Sequence, residues 1–355
     1  SAGVSAELAA EYAKDLVWEE RHQTFDDQIY MSCLFGGSFP KFAIVMVDEA
    51  QDLSPLNHIQ VKRVSVDRVI VCGDPRQAIY AFRGADSSSM DTMRSLRSDW
   101  QNLSLSTTFR CPKSIVARQQ AHALGFTAAP EAPEGEFHDW TDKESWSIAD
   151  IENAYPGQNI SILCRNNAPI IAAALRIIRS GRGVTVLGSE IGKSLVVLSK
   201  KILPSDDLPA EECFTKILDW KESEIQKARL NEKEERIAII TDKAECLIAV
   251  LESGKAKTAG ELRNTLSTMF QKENLRITLS TGHKSKGLEW PIVVHLDPHR
   301  IPSKYARKAA SEGHMIPMEQ DMNLKYVIET RSQSVLINAN LDQMIVEDNN
   351  AIIAA

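Results

Sequence analysis

The sequence predicts an α/β fold with parallel sheets, and two features support this prediction. Two apolar runs, 42–47 and 69–72, are rich in Val and Ile and are too short for a helix. Runs of this kind are typical of buried parallel strands. Later in the chain, a strand, a helix and a strand follow one another over 160–187, which indicates a second parallel sheet. We therefore expect two α/β domains.

Further elements follow in order from periodicity and turn residues. Residues 54–65 predict a short helix and a turn, because Pro55 suits a first helical turn. The stretch 124–140 is rich in Ala, Pro, Gly and Glu, which is typical of a surface loop. Within 160–187 the expected strands are 160–164 and 184–187, and the expected helix is 168–180.

The last third of the chain predicts a helical stretch and more strands. From 194 to 270 the pattern is helical and heavily charged. Its expected core residues are Trp220, Ile225, Leu247, Leu251 and Leu262. Short apolar runs predict strands at 276–280, 291–296, 326–328 and 335–337, with an irregular stretch at 300–320 and a fraying tail after Leu341.

Length and composition narrow the function classes. A chain of 355 residues can form two or three domains with sizeable cores. The net charge of −7 does not indicate a nucleic-acid binder, but an acidic body can carry a local basic groove. We expect no membrane partner and no signal peptide, because no apolar run reaches the length of a span. Six cysteines without CxxC spacing indicate reduced cytosolic thiols.

Polar residues follow the first two predicted strands. Asp48 and Glu49 leave the first, and Gly73, Asp74 and Gln77 leave the second. Because ligands gather at the carboxyl ends of parallel strands, we expect a nucleotide and its metal there. A strand-tip carboxylate suits Mg²⁺, and a carboxylate beside it can deprotonate an attacking water. We predict Asp48 as the Mg²⁺ ligand and Glu49 as the catalytic base. A pair of acids that cap a helix is the alternative.

Five strings in the chain carry a family resemblance. They are IVMVDEAQDL (44–53), VIVCGDPRQAIYAFRGAD (69–86), LSTTFRCP (105–112), ITLSTGHKSKGLEW (277–290) and NLKYVIETRSQSVL (323–336). In this order they resemble motifs II to VI of UvrD/Rep-type superfamily 1 DNA helicases. The resemblance implies two RecA-like parallel-sheet motor domains of the P-loop NTPase type, the first one incomplete, with a small helical insertion. It also implies ATP and Mg²⁺ as cofactors, and single-stranded DNA or DNA with a single-stranded tail as partner.

The resemblance implies an ATP site with named residues. Gln77 matches the glutamine that senses the γ-phosphate, Phe109 an adenine-stacking ring and Glu289 the acid that holds the ribose. Arg110 and Arg331 match arginine fingers, which neutralise charge on the transferring phosphate. An isolated arginine is usually a surface charge, so both assignments depend on the motif match. Motif VI departs mildly from the family pattern, because it ends ETRSQS instead of TRA and a charged residue.

The resemblance also implies DNA contacts. Tyr80, Phe82 and Arg83 match residues that contact single-stranded DNA, and aromatic faces beside a cation suit stacking on unpaired bases. Core packing is the alternative for the two rings. His283 and Lys284 are candidate DNA-phosphate contacts, with a structural histidine as the alternative. Because the rings lie within a few residues of the γ-phosphate sensor, hydrolysis is expected to move the bases.

The phosphate loop that the family requires, GxxxxGK[ST], does not occur upstream of Asp48. The string GSEIGKS at 188–194 has its glycines one residue too close and lies far downstream. We interpret it as a strand-to-helix turn, and expect the chain to be a fragment without the loop. The expected parts are the end of a 1B-like helical insertion (1–35), the C-terminal part of domain 1A (36–105), domain 2A (106–195 and 276–345), a short helical insertion at the 2B position (196–275) and a tail (346–355). Asp26 and Asp27 indicate a helix N-terminus rather than a metal site.

The predicted function is that of an ATP-dependent DNA helicase or translocase, moving 3′ to 5′, in the cytoplasm of a bacterium or of a phage-infected cell. ATP would draw the two arginines against the phosphates, and hydrolysis would release them. Two other classes stay open. The first is a DNA-binding module that does not hydrolyse ATP. The second is the motor part of a helicase-nuclease, whose nuclease carboxylates would require further chain.

Overall fold

The computed structural model describes residues 32–33, 38–81, 84–180, 182–230, 234–269 and 275–346. The chain divides into two compact units, Ser1–Leu103 and Ser104–Ala355. Several predictions concern residues outside the described ones: most of the N-terminal helical segment with Asp26 and Asp27, the DNA contacts Phe82 and Arg83, and the end of the tail. The assignment of the segments to domains 1A, 2A and the two insertions stays a prediction.

The first unit contains a parallel strand pair joined by a helix. Strands β1 (Phe42–Val47) and β2 (Ser65–Val71) pair in parallel, and helix α1 (Pro55–Val64) connects them. Ser54 begins α1 with a capping box and Pro55 occupies the first turn, as predicted. Short 3₁₀ turns follow each strand, at Ala50–Asp52 and Pro75–Gln77, and helix α2 spans Ser89–Ser95.

The prediction that these two strands are buried is wrong for one face of the sheet. Phe42, Ile44, Met46 and Ile70 are between 47% and 76% exposed. Successive side chains of a strand point to opposite faces, so one face of this sheet can be buried while the other face stays exposed. The intervening valines are partly buried, whereas the described residues leave the face of Met46 open.

The second unit contains a short parallel strand pair and a six-stranded parallel sheet. The short pair is formed by β3 (Thr107–Thr108) and β4 (Thr127–Ala128). The strands of the large sheet are β5 (Glu136–Asp139), β6 (Ile160–Cys164), β7 (Thr185–Val186), β8 (Ile277–Thr281), β9 (Trp290–Leu296) and β10 (Ser332–Ala339). Their order across the sheet is β5-β10-β9-β6-β8-β7. Strand β6 lies inside the sheet and all its residues are buried.

Helices surround this sheet and share one hydrophobic core with it. The core includes three of the residues predicted from the helical pattern, Leu247, Leu251 and Leu262, while Trp220 packs against it partly buried. The helices are α3 (Lys113–Gln119), α4 (Ile148–Ala154), α5 (Asn167–Arg179), α6 (Ser189–Ile202), α7 (Ala210–Leu230), α8 (Glu234–Glu252), α9 (Ala259–Met269), α10 (Lys304–Ser311) and α11 (Ile316–Glu329). Within the described residues, no helix is long and apolar enough to cross a membrane.

The predicted order of strand, helix and strand over 160–187 is confirmed by β6, α5 and β7, and the strands at 276–280 and 291–296 by β8 and β9. The predicted strand-to-helix turn at 188–194 is also confirmed. Gly188 adopts a left-handed conformation with φ of 111°, and α6 begins at the next residue. Glycine tolerates this conformation without the steric penalty of a Cβ atom.

Four predictions in the second unit need correction. Residues 124–140 contain β4 and β5 rather than a loop alone, and 300–320 contain α10 and the start of α11. The run 326–328 is the end of α11 rather than a strand, because its apolar residues continue a helical face from Leu324. The chain after Leu341 is held through Ile345, whose N–H donates to the Trp146 carbonyl at 2.8 Å.

Candidate functional site

Two backbone hydrogen bonds place the carboxyl ends of β1 and β2 side by side. The Cys72 N–H donates to the Val47 carbonyl at 2.8 Å, and the Ala50 N–H donates to the Cys72 carbonyl at 3.0 Å. The residues after each strand therefore lie at one edge of the first unit. This is the arrangement that the sequence predicts for Asp48 and Asp74.

The two acids after β1 are exposed and do not cap a helix. The Asp48 carboxylate accepts a hydrogen bond from the Glu49 N–H at 2.9 Å. Glu49 precedes the 3₁₀ turn Ala50–Asp52, but its side chain makes no capping hydrogen bond. This geometry counts against the alternative of a pair of capping acids.

Glu49 has a left-handed backbone, with φ of 51° and ψ of 40°. For a residue with a Cβ atom this conformation costs on the order of 1–2 kcal/mol. Conformations of this kind persist where neighbouring groups hold them, and they cluster at functional sites. The left-handed turn redirects the chain directly after Asp48, so that successive carboxylates leave the strand tip at different angles.

The residues at this edge fit a Mg²⁺ ion that is shared with a substrate. Among the described residues, no group of three or more His, Cys, Asp or Glu side chains is placed to hold a metal. Mg²⁺ does not require such a cage, because it keeps several waters and is commonly held by one or two carboxylates plus substrate phosphates. Asp48, exposed at the strand tip, supplies a carboxylate of this type.

Gln51, which was not predicted as a site residue, connects the two strand ends. It is 2% exposed, and both ends of its amide are used. Its Nε2 donates to the Glu49 carboxylate, and its Oε1 accepts from the Asp74 N–H at 3.0 Å. The Asp74 carboxylate in turn accepts from the Arg76 N–H and from Gln77 Nε2, each at 3.0 Å. Glu49 and Gln77 thus belong to one hydrogen-bonded series.

Gly73 leaves room for this series. A Cβ atom at Gly73 would lie 2.7 Å from Gln51 Oε1, 2.9 Å from Met90 Sδ and 3.2 Å from the Ala50 nitrogen. Contacts below 3.0 Å force a neighbour to move. The Gln51 amide can occupy its buried position because residue 73 is a glycine.

The predicted DNA contacts that the structure describes are accessible. In the first unit, Tyr80 is partly exposed and follows the buried Ile79. In the second unit, His283 is partly exposed and Lys284 is exposed, in the turn after β8. The close neighbours of Gly282 in that turn are Ile328 and Leu324 of α11, so its missing side chain serves helix packing rather than a visible ligand site.

Two of the predicted ATP residues in the second unit lie together. Arg110 forms an ion pair with Glu289, and Gln333 Nε2 donates to the other carboxylate oxygen of Glu289 at 2.8 Å. Phe109, beside Arg110 in the chain, is 86% exposed. A free aromatic face next to a paired arginine and acid suits a planar base and a ribose.

Arg331, the second predicted arginine finger, is 2% exposed. Its Nε donates to the Val327 carbonyl at 2.9 Å, and its Nη1 donates to the Leu288 carbonyl at 3.3 Å. Burial, with the nearby charge of Arg110, lowers the pKa of Arg331 to about 10, so the guanidinium is charged at neutral pH. A role as a finger stays a prediction, and it requires these carbonyl bonds to break.

A buried polar group next to Arg331 was also not predicted. Glu329, at the end of α11, accepts from Gln119 Nε2 at 2.5 Å, and its other oxygen lies 3.7 Å from His295 Nδ1. Both His295 and Glu329 are at most 2% exposed. The only signal in the sequence is the acid in the string ETR, since His295 stands inside an apolar strand.

Family models match two parts of the chain. The model of the UvrD/REP helicase N-terminal domain matches residues 38–97, which include Asp48, Glu49 and Gln77. The model of the UvrD-like helicase C-terminal domain matches residues 212–340, which include Glu289 and Arg331. The two matches fall in the two units and follow the order of the motifs.

Several curated relatives are DNA helicases by name. The chain is 26% identical over 332 residues to the F-box DNA helicase protein 1 of Schizosaccharomyces pombe, covering 90% of this chain and 37% of that protein. It is 24% identical over 330 residues to the ATP-dependent DNA helicase UvrD2 of Mycobacterium tuberculosis, covering 82% of this chain and 46% of the relative. A shorter match, 37% identical over 87 residues, links 24% of this chain to 8% of the RecBCD enzyme subunit RecB of Mycolicibacterium smegmatis. The chain spans less than half the length of each of these relatives.

Proposed function

The chain belongs to the UvrD/Rep-type DNA helicases of superfamily 1, and from this premise we propose that it forms part of an ATP-driven motor moving 3′ to 5′ on single-stranded DNA. The observation that carries the proposal is the edge formed by the ends of β1 and β2. There Asp48 and Glu49 are exposed, and Glu49 is connected through Gln51 and Asp74 to Gln77. Phosphoryl transfer to water requires a carboxylate that binds the metal, a carboxylate that accepts the proton of the water, and a polar group that contacts the γ-phosphate.

In the proposed reaction, Glu49 accepts a proton from the attacking water. The water oxygen bonds to the γ-phosphorus, the bond to the bridging oxygen breaks, and ADP and phosphate leave. Asp48 is the residue that would hold a Mg²⁺ ion, which would supply positive charge to neutralise the phosphate oxygens. Gln77 Nε2 has a hydrogen to donate to the γ-phosphate when it leaves Asp74.

The proposed contribution of the second unit is charge and base recognition. Phe109 stacks on adenine, Glu289 accepts from the ribose hydroxyls, and Arg110 exchanges its partner Glu289 for a phosphate. Arg331 adds a second positive charge after its carbonyl bonds open. Arginine fingers raise rates by about 10³- to 10⁵-fold in other NTPases. These roles depend on the motif match, together with the Arg110–Glu289 pair.

The proposed DNA path runs over Tyr80, Phe82 and Arg83 in the first unit and over His283 and Lys284 in the second. Base stacking is tolerant of sequence, which a motor requires, and the cations balance the phosphates. We further propose that the phosphate-binding loop of the motor lies outside this chain. Two observations support this: 188–194 forms the start of helix α6, and the named relatives are more than twice as long as the matched segment.

The test is ATP hydrolysis by the full-length protein, with and without single-stranded DNA. We expect Glu49→Gln to lower DNA-stimulated turnover by about 10²- to 10⁴-fold, because the amide cannot accept the proton. Binding of a fluorescent oligonucleotide should be retained. Asp91→Asn is the matched control, since Asp91 is an exposed acid of the same unit. Undiminished turnover in Glu49→Gln would contradict the assignment of Glu49 as the catalytic base.

The 355-residue chain alone provides a second measurement. We expect it to bind single-stranded DNA and not to hydrolyse ATP. Turnover by this chain would mean that Lys193 or another group within it contacts the phosphates, and that the loop is not missing.

A further inference from the structure

We infer that Gln51 is a positioning residue that aims the Glu49 carboxylate and couples it to the segment carrying Gln77. This inference rests on the proposed function, because it assigns Glu49 and Gln77 to the ATP site. The inference adds a role to the proposed function. Gln51 is buried, whereas the two acids are exposed, so Gln51 acts on the reaction through Glu49 rather than directly.

Both ends of the Gln51 amide are hydrogen-bonded. Its Nε2 donates to Glu49 Oε2 and its Oε1 accepts from the Asp74 N–H. A buried amide that loses its partners is destabilising, which favours keeping both bonds. The amide therefore fixes the separation between the Glu49 carboxylate and the backbone of Asp74.

The Glu49 backbone explains why such a support is needed. Its φ of 51° is unfavourable for a residue with a side chain. A general base must stay within hydrogen-bond reach of the water. The bond from Gln51 helps to hold the Glu49 carboxylate in one direction.

The opposite end of the series connects Gln51 to the DNA segment. Asp74 accepts from both the Arg76 N–H and Gln77 Nε2, and Tyr80 follows three residues after Gln77. A movement of the Pro75–Gln77 turn shifts Asp74, and with it the N–H that holds the Gln51 amide. Binding of DNA at Tyr80 thus changes the aim of Glu49 through four hydrogen-bonded residues.

The close approach at Gly73 supports a fixed amide. With 2.7 Å between a Cβ atom at Gly73 and Gln51 Oε1, the backbone passes directly over the amide. The amide therefore cannot swing away toward the side of Gly73.

The test variant is Gln51→Glu in the full-length protein, which keeps the size of the side chain and the acceptor for the Asp74 N–H. It removes the donor to Glu49 and adds a negative charge beside it. We expect kcat with DNA to fall by about 10- to 100-fold while KM for ATP changes by less than about 3-fold. Stimulation by DNA should largely disappear.

Two further variants keep the inference falsifiable. Gln51→Asn has an amide that is too short to reach both partners, and it should lose DNA stimulation while KM for ATP changes by less than about 3-fold. Gln101→Glu is the matched control, because Gln101 is an exposed glutamine of the same unit, and it should behave as wild type. If Gln51→Glu does not fold, Gln51→Asn decides.

The outcomes separate the inference from the proposed function. A wild-type protein without DNA-stimulated hydrolysis would overturn the proposed function, and the inference with it. A stimulated wild type whose Gln51 variants keep their kcat and their stimulation by DNA would overturn the inference alone. A change in melting temperature with unchanged kinetics would mean that Gln51 is only structural, which also contradicts the inference.

Discussion

The Arg331 side chain is both a candidate arginine finger and a buried cation. Its guanidinium donates to the Val327 and Leu288 carbonyls and is 2% exposed. The planar fork of arginine can donate in several fixed directions at once, whereas lysine is a point charge on a flexible stem. In this structure Arg331 therefore stabilises the end of α11, and its hydrogen bonds would have to break before it could contact a phosphate.

We predict that Arg331→Lys destabilises the protein by about 1–3 kcal/mol, because a buried carbonyl loses its donor. The measurement is the urea midpoint at pH 7. Arg307→Lys is the matched control, since Arg307 also donates to main-chain carbonyls, of Pro302 and His299, but from an exposed position. A surface change of this kind stays within about 0.5 kcal/mol. Equal effects of the two substitutions would contradict the structural role of Arg331.

Residue types at the site were easier to predict than residue contacts. The sequence identifies Asp48, Glu49 and Gln77, because acids and amides after strands indicate ligand chemistry. It does not identify Gln51, since a glutamine inside DEAQD looks like a solvated polar residue until the fold buries it. It also does not indicate that Arg331 is buried while Arg110 is exposed enough to pair with Glu289. Burial and pairing depend on distant segments, which no local pattern records.

At the scale of elements, α11 and β9 carry a buried pair that ties two motifs together. Glu329 ends α11 and contacts Gln119 at the end of α3, which begins three residues after Arg110. His295 of β9 lies on the other side of the carboxylate. Helix α3 and helix α11 are thus joined by a buried contact close in sequence to the two arginines.

This pair predicts a specific acid sensitivity. Burial alone would raise the pKa of Glu329, but the approach of His295 and the charges of Lys325 and Arg118 outweigh it and lower that pKa. A carboxyl whose pKa is lower in the folded state stabilises the protein above its unfolded pKa of about 4.3. That stabilisation is lost as the pH falls through the folded pKa. We therefore expect wild type to lose stability steeply below about pH 4.5, and Glu329→Gln to lose less over the same range.

The measurement is the urea midpoint between pH 7 and pH 3.5, for wild type and for Glu329→Gln. Glu312→Gln serves as the control, because Glu312 is an exposed helix acid that pairs with Lys308 at 3.9 Å. It should follow wild type throughout. An identical acid slope in wild type and Glu329→Gln would show that the buried pair does not contribute.

Elements with a clear period were predicted well, and short apolar runs were not. Strand β6 and helix α5 agree with the sequence within one or two residues, since each has an unambiguous pattern and clear turn residues. The run 326–328 was assigned to a strand because three apolar residues fit either structure. Strand β5 was assigned to a loop, since its pairing with β10 depends on a segment almost 200 residues away.

At the scale of the whole molecule, the chain consists of two compact units that differ in how much core they contain. The second unit has a six-stranded sheet with a large buried cluster. The first has a two-stranded sheet whose face at Phe42, Ile44 and Met46 is exposed. The burial of these strands was predicted from their apolar residues. An apolar side chain is suited to a buried position, but among the described residues none covers this face of the sheet.

The segment between the units leads to a final prediction. Residues 97–106 form neither helix nor strand, and within them Leu103 and Leu105 are 90% and 94% exposed. Proteases cut where the backbone is accessible and free of regular hydrogen bonding. We predict that thermolysin first cuts before one of these leucines in the native chain. The second unit, which has its own core, should remain as a resistant product that mass spectrometry can identify.

The control distinguishes exposure from lack of structure. Leu218 is 49% exposed but lies inside helix α7, so Leu218→Ser should leave the digestion pattern unchanged. Replacing both Leu103 and Leu105 by Ser should slow the first cut by about tenfold or more, because thermolysin needs an apolar residue after the cleaved bond and accessible backbone around it. A first cut inside the six-stranded sheet would contradict the division of the chain at Leu103. It would mean that the core around β6 opens more readily than the segment that precedes it.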